Sequence, residues 1–157
     1  MDICVMIEGQ EDVGWPQWQA LAQTCERYGL AGLYRSDHLL PLDGHHERVV
    51  LDAWGTICAL AATTSTLRLG TLVSPVTFRH PSVLAKLAVT ADAISGGRVD
   101  LGLGAGWFEA EHRAYGIDFG DAQDRRATLE EQFVVIRGLL ARPQYDHRRP
   151  VQTCHLR

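Results

Sequence analysis

The chain has 157 residues, 46% of them hydrophobic and 22% charged, the proportions of a soluble globular domain with enough apolar material for a core. A net charge of -4 provides no general attraction to nucleic acid or to an anionic membrane surface. No apolar run approaches the length of about 18 residues that a membrane span needs. The acidic start MDICVMIEGQ lacks the basic region of a secretory signal, so the cytoplasm is the expected compartment.

The first apolar run, Ile3 to Ile7, has the length of a buried strand. A helix is expected from about Pro16, with Trp18, Leu21, Ala22, Cys25 and Tyr28 on one face and Gly29 as its stop. A second strand over roughly Leu30 to Arg35 delivers Ser36, Asp37 and His38 to a loop. Asp52 is placed to cap a second helix, in which Trp54, Ile57, Cys58 and Ala61 recur at helical spacing. The third strand covers Leu67 to Val73. Pro81 then opens a third helix carrying Val83, Leu84, Leu87, Ala91 and Ile94, which ends at Gly96-Gly97. In the fourth strand Val99, Leu101 and Leu103 alternate with Asp100, Gly102 and Gly104. That alternation suits a barrel, with the small and polar set inside and the aliphatic set under helices. A fourth helix, about Arg125 to Leu140, aligns Leu129, Phe133, Ile136 and Leu140.

These are four successive β/α units in one domain, residues 1–141, and such alternation means a parallel sheet with right-handed crossovers. A doubly wound sheet and a (β/α)8 TIM-type barrel both fit the pattern. A complete barrel needs about 250 residues, so the chain would supply a half barrel. Residues 142–157, RPQYDHRRPVQTCHLR, have no apolar period, and Pro143 and Pro150 disfavour a fifth strand. This tail is expected to be disordered or aberrant. Cys4, Cys25, Cys58 and Cys154 form no CxxC pair and read as reduced thiols, three of them in core segments.

Gly102-Leu103-Gly104-Ala105-Gly106 ends the fourth strand, where glycines let the backbone bend and approach a ligand with bare N–H groups. A GxGxxG dinucleotide fingerprint would need glycine at position 107, which is Trp, so a Rossmann site is disfavoured; a tight turn without a ligand is the plain alternative. In Asp37-His38 an imidazole stands beside a carboxylate, a pair able to position a ligand or move protons near neutral pH, although the same pair suits an ordinary loop. His45-His46-Glu47 reads as a solvated loop, because neighbouring positions rarely converge on one ion; no metal is expected. There is no GxSxG elbow and no P-loop.

Taken in order, five segments resemble the bacterial luciferase-like superfamily, and within it the coenzyme F420-dependent oxidoreductases. They are IEGQ (7–10), WPQW (15–18), RSDHLLP (35–41), LRLGTLVSPVTFRHP (67–81) and LAKLAVTADAISGGRVDLGLGAGWFEAEHRAYGIDF (84–119). The resemblance extends to about residue 141 and stops before the tail. It implies a (β/α)8 barrel that holds a flavin or deazaflavin at the C-terminal ends of its strands. Members transfer hydride between the cofactor and an organic substrate, or use reduced flavin and oxygen in monooxygenation. By position, Asp37 and His38 would lie in the cofactor and substrate pocket, with His38 the catalytic candidate. Leu72-Val73 matches the step where relatives hold a non-proline cis peptide behind the ring. Ala105, Gly106 and Trp107 match the turn that lines the cofactor near its side chain and phosphate. One departure is Trp107 itself, since relatives that oxidise sugar phosphates carry a glutamate proton donor there; Glu109 and Glu111 are near but out of register.

The resemblance therefore implies an F420-dependent oxidoreductase or monooxygenase, with FMN as the alternative cofactor, acting on a small-molecule substrate and here truncated. A half barrel would lack the loops after strands seven and eight that commonly grip phosphate. The competing expectation is a non-catalytic remnant or half-barrel assembly module, whose open edges and apolar face associate. A homo-oligomer is expected on family analogy alone.

Overall fold

The computed structural model describes residues 1–141 and the backbone of residues 152–154. Strand β1 (Cys4–Ile7) leads to helix α1 (Trp15–Arg27), where Pro16 sits in the first turn and Gly29 follows the end. Trp18, Ala22 and Cys25 are buried along one face. Tyr28, expected on that face, is exposed, because it is the C-cap and has left the helical path. Strand β2 (Gly32–Arg35) precedes helix α2 (Ala53–Thr63), whose N-cap Asp52 accepts the Gly55 N–H at 2.7 Å.

Strand β3 (Arg68–Pro75) and helix α3 (Pro81–Ser95) follow, and α3 stops at Gly96 with φ of 75°, the left-handed conformation that glycine adopts without penalty. Its buried stripe runs through Leu84, Ala88, Ala91 and Ser95. Val83 and Ile94, expected on that stripe, lie one residue out of phase with it and are exposed. Strand β4 (Val99–Gly104) is followed by helix α4 (Glu109–Tyr115), which periodicity did not disclose. Seven residues are too few to repeat an apolar stripe, but charge marks the element. Glu109 and Glu111 lie in its first turn and His112 and Arg113 in its last, matching the helix dipole. Helix α5 (Ala122–Leu140) is capped by Asp121 and buries Ile136.

A fifth strand, β5 (Gln152–Cys154), pairs in parallel with β4, Asp100 opposite Gln152 and Gly102 opposite Cys154. This corrects the expectation that no strand follows α5. Both prolines lie before the paired segment, so neither removes a ladder donor from it. The expectation of disorder for the rest of the tail falls outside the described residues.

All pairings are parallel and the sheet runs β1-β2-β3-β4-β5 in chain order. A doubly wound sheet must reverse its strand order to place helices on both faces; here each step moves in one direction, so right-handed crossovers put every helix on the same side. The architecture is α/β of the TIM-barrel type. Trp18, Trp54, Ile57, Leu60, Leu67, Leu69, Leu84 and Leu101 fill the layer between the sheet and its helices. The other face carries Cys4, Tyr34, Arg68 and Asp100. On that face Arg68 donates to Asp100 through Nε at 2.8 Å and Tyr34 donates its hydroxyl to the same carboxylate at 2.6 Å. Cys4, expected in the core, is exposed because it lies on this face beside Gly32, away from the helices; Cys25 is buried and Cys58 half-buried, and burial pushes both thiols up. Among the described residues, no helix is long and apolar enough to cross a membrane.

Candidate functional site

Because the strands are parallel, the segments after β1 to β4 leave the sheet at one rim, the end at which barrel enzymes keep their chemistry. Glu8–Gln10, Ser36–Leu39, Val76–His80 and Ala105–Phe108 meet there. At the base, Ser36 Oγ accepts the Gly9 N–H at 3.2 Å and donates to Gln10 Oε1 at 2.5 Å, while Gln10 Nε2 donates to Glu8 at 2.8 Å. Arg35 is buried behind this loop. It donates to Ser36 O, Thr56 Oγ1 and Leu51 O, and lies over the Trp18 ring at 5.0 Å; burial pushes its pKa down to about 10.

Asp37 is 1% exposed. Its Oδ2 accepts from Ser74 Oγ at 2.6 Å and from Arg79 Nη1 at 2.6 Å, and its Oδ1 accepts from Arg79 Nη2 at 3.2 Å. Arg79 also donates to the N-cap carboxylate of Asp52 at 2.9 Å, and Ser74 Oγ accepts the Trp54 indole N–H at 3.0 Å. Burial opposes the charge on Arg79, but Asp37 and Asp52 outweigh it and raise its pKa. Asp37 is thus engaged within the protein, joining the loop after β2 to the loop after β3 and to the start of α2.

His38 turns the other way. Its Nδ1 lies 3.0 and 3.1 Å from the two carboxylate oxygens of Glu111, and Glu111 Oε2 also accepts the Leu39 N–H at 2.8 Å. The Glu111 side chain is 1% exposed and that of His38 12%. Trp107 and Phe108 meet the imidazole edge-on, at centroid distances of 5.7 and 6.1 Å. Burial lowers the proton affinity of His38, but the hydrogen bond and charge of Glu111, with Glu8 and Asp37 behind it, more than reverse this and raise its pKa.

The Leu72–Val73 peptide is cis, where the β3–β4 register shifts between Thr71 and Ser74. Next to it, a Cβ on Gly104 would stand 2.4 Å from Val73 Cγ2, so only glycine fits without displacement. Gly106 turns the chain with φ of 83°, and its carbonyl accepts from Arg125 Nε at 3.1 Å; the Arg125 guanidinium stacks 3.8 Å from the Phe119 ring centre. Beneath the turn, His112 Nδ1 donates to Phe108 O at 2.9 Å and its Nε2 lies 2.7 Å from the Thr77 hydroxyl. Among the described residues the N–H groups of Ala105, Gly106 and Trp107 donate no hydrogen bond. Trp107 itself is 64% exposed.

The residues expected from sequence, Asp37, His38, Leu72, Val73, Ala105, Gly106 and Trp107, all fall at or just below this rim. The His45-His46-Glu47 segment lies in an exposed loop, where His45 pairs with Glu47 at 3.0 Å. Sequence reasoning missed Arg79 at this rim, and named Glu111 only as a glutamate out of register with position 107. Arg79 was hidden because a β3-loop arginine has no local partner, and the place of Glu111 because α4 had not been recognised. The acid-first, base-last order of Glu109–Arg113 was the available signal for Glu111.

The family model for luciferase-like monooxygenases matches residues 3–157. The chain belongs to that family. The match runs through the tail, where sequence reading found no resemblance. This luciferase-like chain is 36% identical over 121 residues to an F420-dependent glucose-6-phosphate dehydrogenase of Amycolatopsis mediterranei, covering 75% of this chain and 35% of that protein. It is 33% identical over 136 residues to 4-hydroxyprotoasukamycin monooxygenase of Streptomyces nodosus subsp. asukaensis, covering 81% and 33%. Among solved structures it resembles the monooxygenase RslO1 of Streptomyces bottropensis, with a TM-score of 0.73, 26% identity and coverage of 90% and 44%. An F420-dependent secondary alcohol dehydrogenase, solved with an F420-acetone adduct, shares the fold at a TM-score of 0.79 and 21% identity, with coverage of 90% and 42%. The chain spans about a third of the length of these curated relatives.

Proposed function

We propose that the rim of this luciferase-like chain forms the cofactor-side part of an oxidoreductase site, with coenzyme F420 as the cofactor and FMN as the alternative. The observation that carries the reading is the convergence of the His38–Glu111 pair, the Leu72–Val73 step and the Ala105–Trp107 turn at one end of a parallel sheet. The donor set fits such a group. The N–H groups of Ala105, Gly106 and Trp107, unpaired among the described residues, suit the anionic side chain of a flavin or deazaflavin, and Val73, which stands where a Cβ on Gly104 would lie, would back its ring. When bound, that ring would supply the hydride chemistry.

The chain's own residues bind, orient and move a proton. Ala105, Gly106 and Trp107 would hold the cofactor side chain. Leu72 and Val73 would back its ring. Asp37 would keep the β2 and β3 loops in register through Arg79 and Ser74. His38 is the catalytic candidate, able to take or give a proton on a small-molecule substrate through the ring nitrogen that Glu111 leaves free. The relatives named for F420 favour that cofactor, and the similarity to a named monooxygenase keeps FMN as the second reading. The match through residue 157 favours an enzyme over an assembly module. Trp107 in place of the expected glutamate argues against a sugar phosphate as substrate.

Titration of the chain with F420 and with FMN, followed by absorbance and fluorescence, tests the assignment. Tighter binding of F420 is expected. Tighter binding of FMN would reverse the cofactor order, and no binding of either at millimolar concentration would remove the site from this chain.

A further inference from the structure

Glu111 is placed unlike a surface acid. It is carried by α4, buried beneath the rim, and its two oxygens face two donors, the Leu39 N–H and the Nδ1 of His38. An ionised carboxylate only accepts hydrogen bonds, so this contact requires a proton on Nδ1. In the neutral imidazole the lone pair is then left on Nε2, which has no hydrogen-bond partner among the described residues. The same helix holds the loop a second time, since the Tyr115 hydroxyl donates to Leu39 O at 3.3 Å. Trp107 and Phe108 meet the ring edge-on.

We infer that Glu111 is the positioning residue of His38, fixing the imidazole with Nδ1 protonated so that Nε2 is the atom offered to a hydroxyl proton of the substrate. The choice of substrate class, a compound with an alcohol or the carbonyl derived from it, rests on the oxidoreductase reading above. The tautomer does not.

The other charged groups acting on His38 are Glu8, after β1, and Asp37, its own neighbour, whose carboxylate is already paired with Arg79. Both are acidic and both favour a proton on the ring, so neither by itself selects which nitrogen carries it. Glu111 selects it by contact. A glutamine replaces it poorly: its oxygen, set at the Oε2 position, accepts from both donors, but its NH2 then stands at the Oε1 position, 3.0 Å from Nδ1 and facing Nδ1–H. Relief would come from turning Nδ1 into an acceptor, which moves the ring proton to Nε2.

The tautomer and titration of His38 can be read from nitrogen-15 histidine NMR spectra of the 157-residue chain without cofactor, with His38→Asn identifying the signal. Three forms would be compared, the natural chain, Glu111→Gln and Glu111→Asp. The natural chain should show Nδ1 protonated in the neutral ring and a midpoint above that of an ordinary histidine. Glu111→Gln should move the proton to Nε2 and lower the midpoint, and Glu111→Asp should retain the natural tautomer. A natural chain with Nε2 protonated overturns the inference even if Glu111→Gln does not fold. So does a folded Glu111→Gln protein whose His38 tautomer and midpoint match the natural ones, which is the result a merely structural staple gives. In cofactor-loaded enzyme, Glu111→Gln should lower kcat about tenfold or more with little change in KM, and shift its pH profile. An unchanged kcat beside the expected NMR result would overturn the use of His38 in catalysis while leaving the Glu111 contact in place.

Discussion

Two corners of one rim hold a buried carboxylate in opposite ways. At the β2–β3 corner, Asp37 is matched by a permanent cation, Arg79, and by the Ser74 hydroxyl. At the β2–β4 corner, Glu111 is matched by a histidine, whose charge depends on pH, and by one backbone N–H. The first arrangement relies on a guanidinium, whose charge is fixed across the physiological range. The second relies on an imidazole, the side chain that titrates there. Adjacent residues, Asp37 and His38, are therefore held differently: one by a fixed cation, the other beside a carboxylate where its own charge follows pH.

The strongest way to break this contrast is to remove the fixed cation. Arg79→Met leaves Asp37 buried without a counter-charge and should cost about 3–5 kcal/mol in urea unfolding. Adding Asp37→Asn to it should restore much of the loss. A cost below about 1 kcal/mol for Arg79→Met would mean that the β2–β3 corner is not locked by charge.

A smaller effect is expected at the end of the same network. Asp52 caps α2 and receives only the outer arm of Arg79, so Asp52→Ala should cost about 1 kcal/mol, chiefly the lost cap. Thermal unfolding at fixed pH measures it. A loss as large as that of Arg79→Met would place the anchor at Asp52 rather than at Asp37.

The smallest effect sharpens the other corner. The raised pKa of His38 means that the folded state binds its proton more tightly than the unfolded state. This contribution is fully present below the ordinary imidazole pKa and is lost as pH rises through the higher folded value. Stability measured across that window should decline with pH in the natural chain, and the decline should flatten in Glu111→Gln. An equal slope in both would assign the proton uptake to another group.

Much of the fold was legible in the sequence because its punctuation is local. Pro16, Pro81, Gly29, Gly96 and Asp52 mark helix ends by backbone geometry that each residue imposes on itself. The choice between a doubly wound sheet and a barrel was not legible in the β/α alternation, since strand order is a long-range property; it came from the family resemblance. At the rim, His38 and the Ala105–Trp107 turn stood out by chemistry and glycine spacing. Their partners did not, because Arg79 and Glu111 meet their targets 42 and 73 residues away in sequence. Strand β5 stayed hidden for a different reason: a three-residue pairing is too short to alternate, and it takes its register from β4.

The chain-order sheet also bears on how the molecule is made. Among the described residues, each strand from β2 onward pairs with the strand synthesised just before it, and no later strand is inserted between neighbours. Such nearest-neighbour wiring keeps the loops to be closed short, which speeds folding and suits growth from the N-terminus as the ribosome releases the chain. His38 is made 73 residues before Glu111 and is separated from it by β3, so the imidazole is emplaced only after the fourth strand and α4 have emerged. The His38–Glu111 contact can thus form only once β1 to β4 have been synthesised.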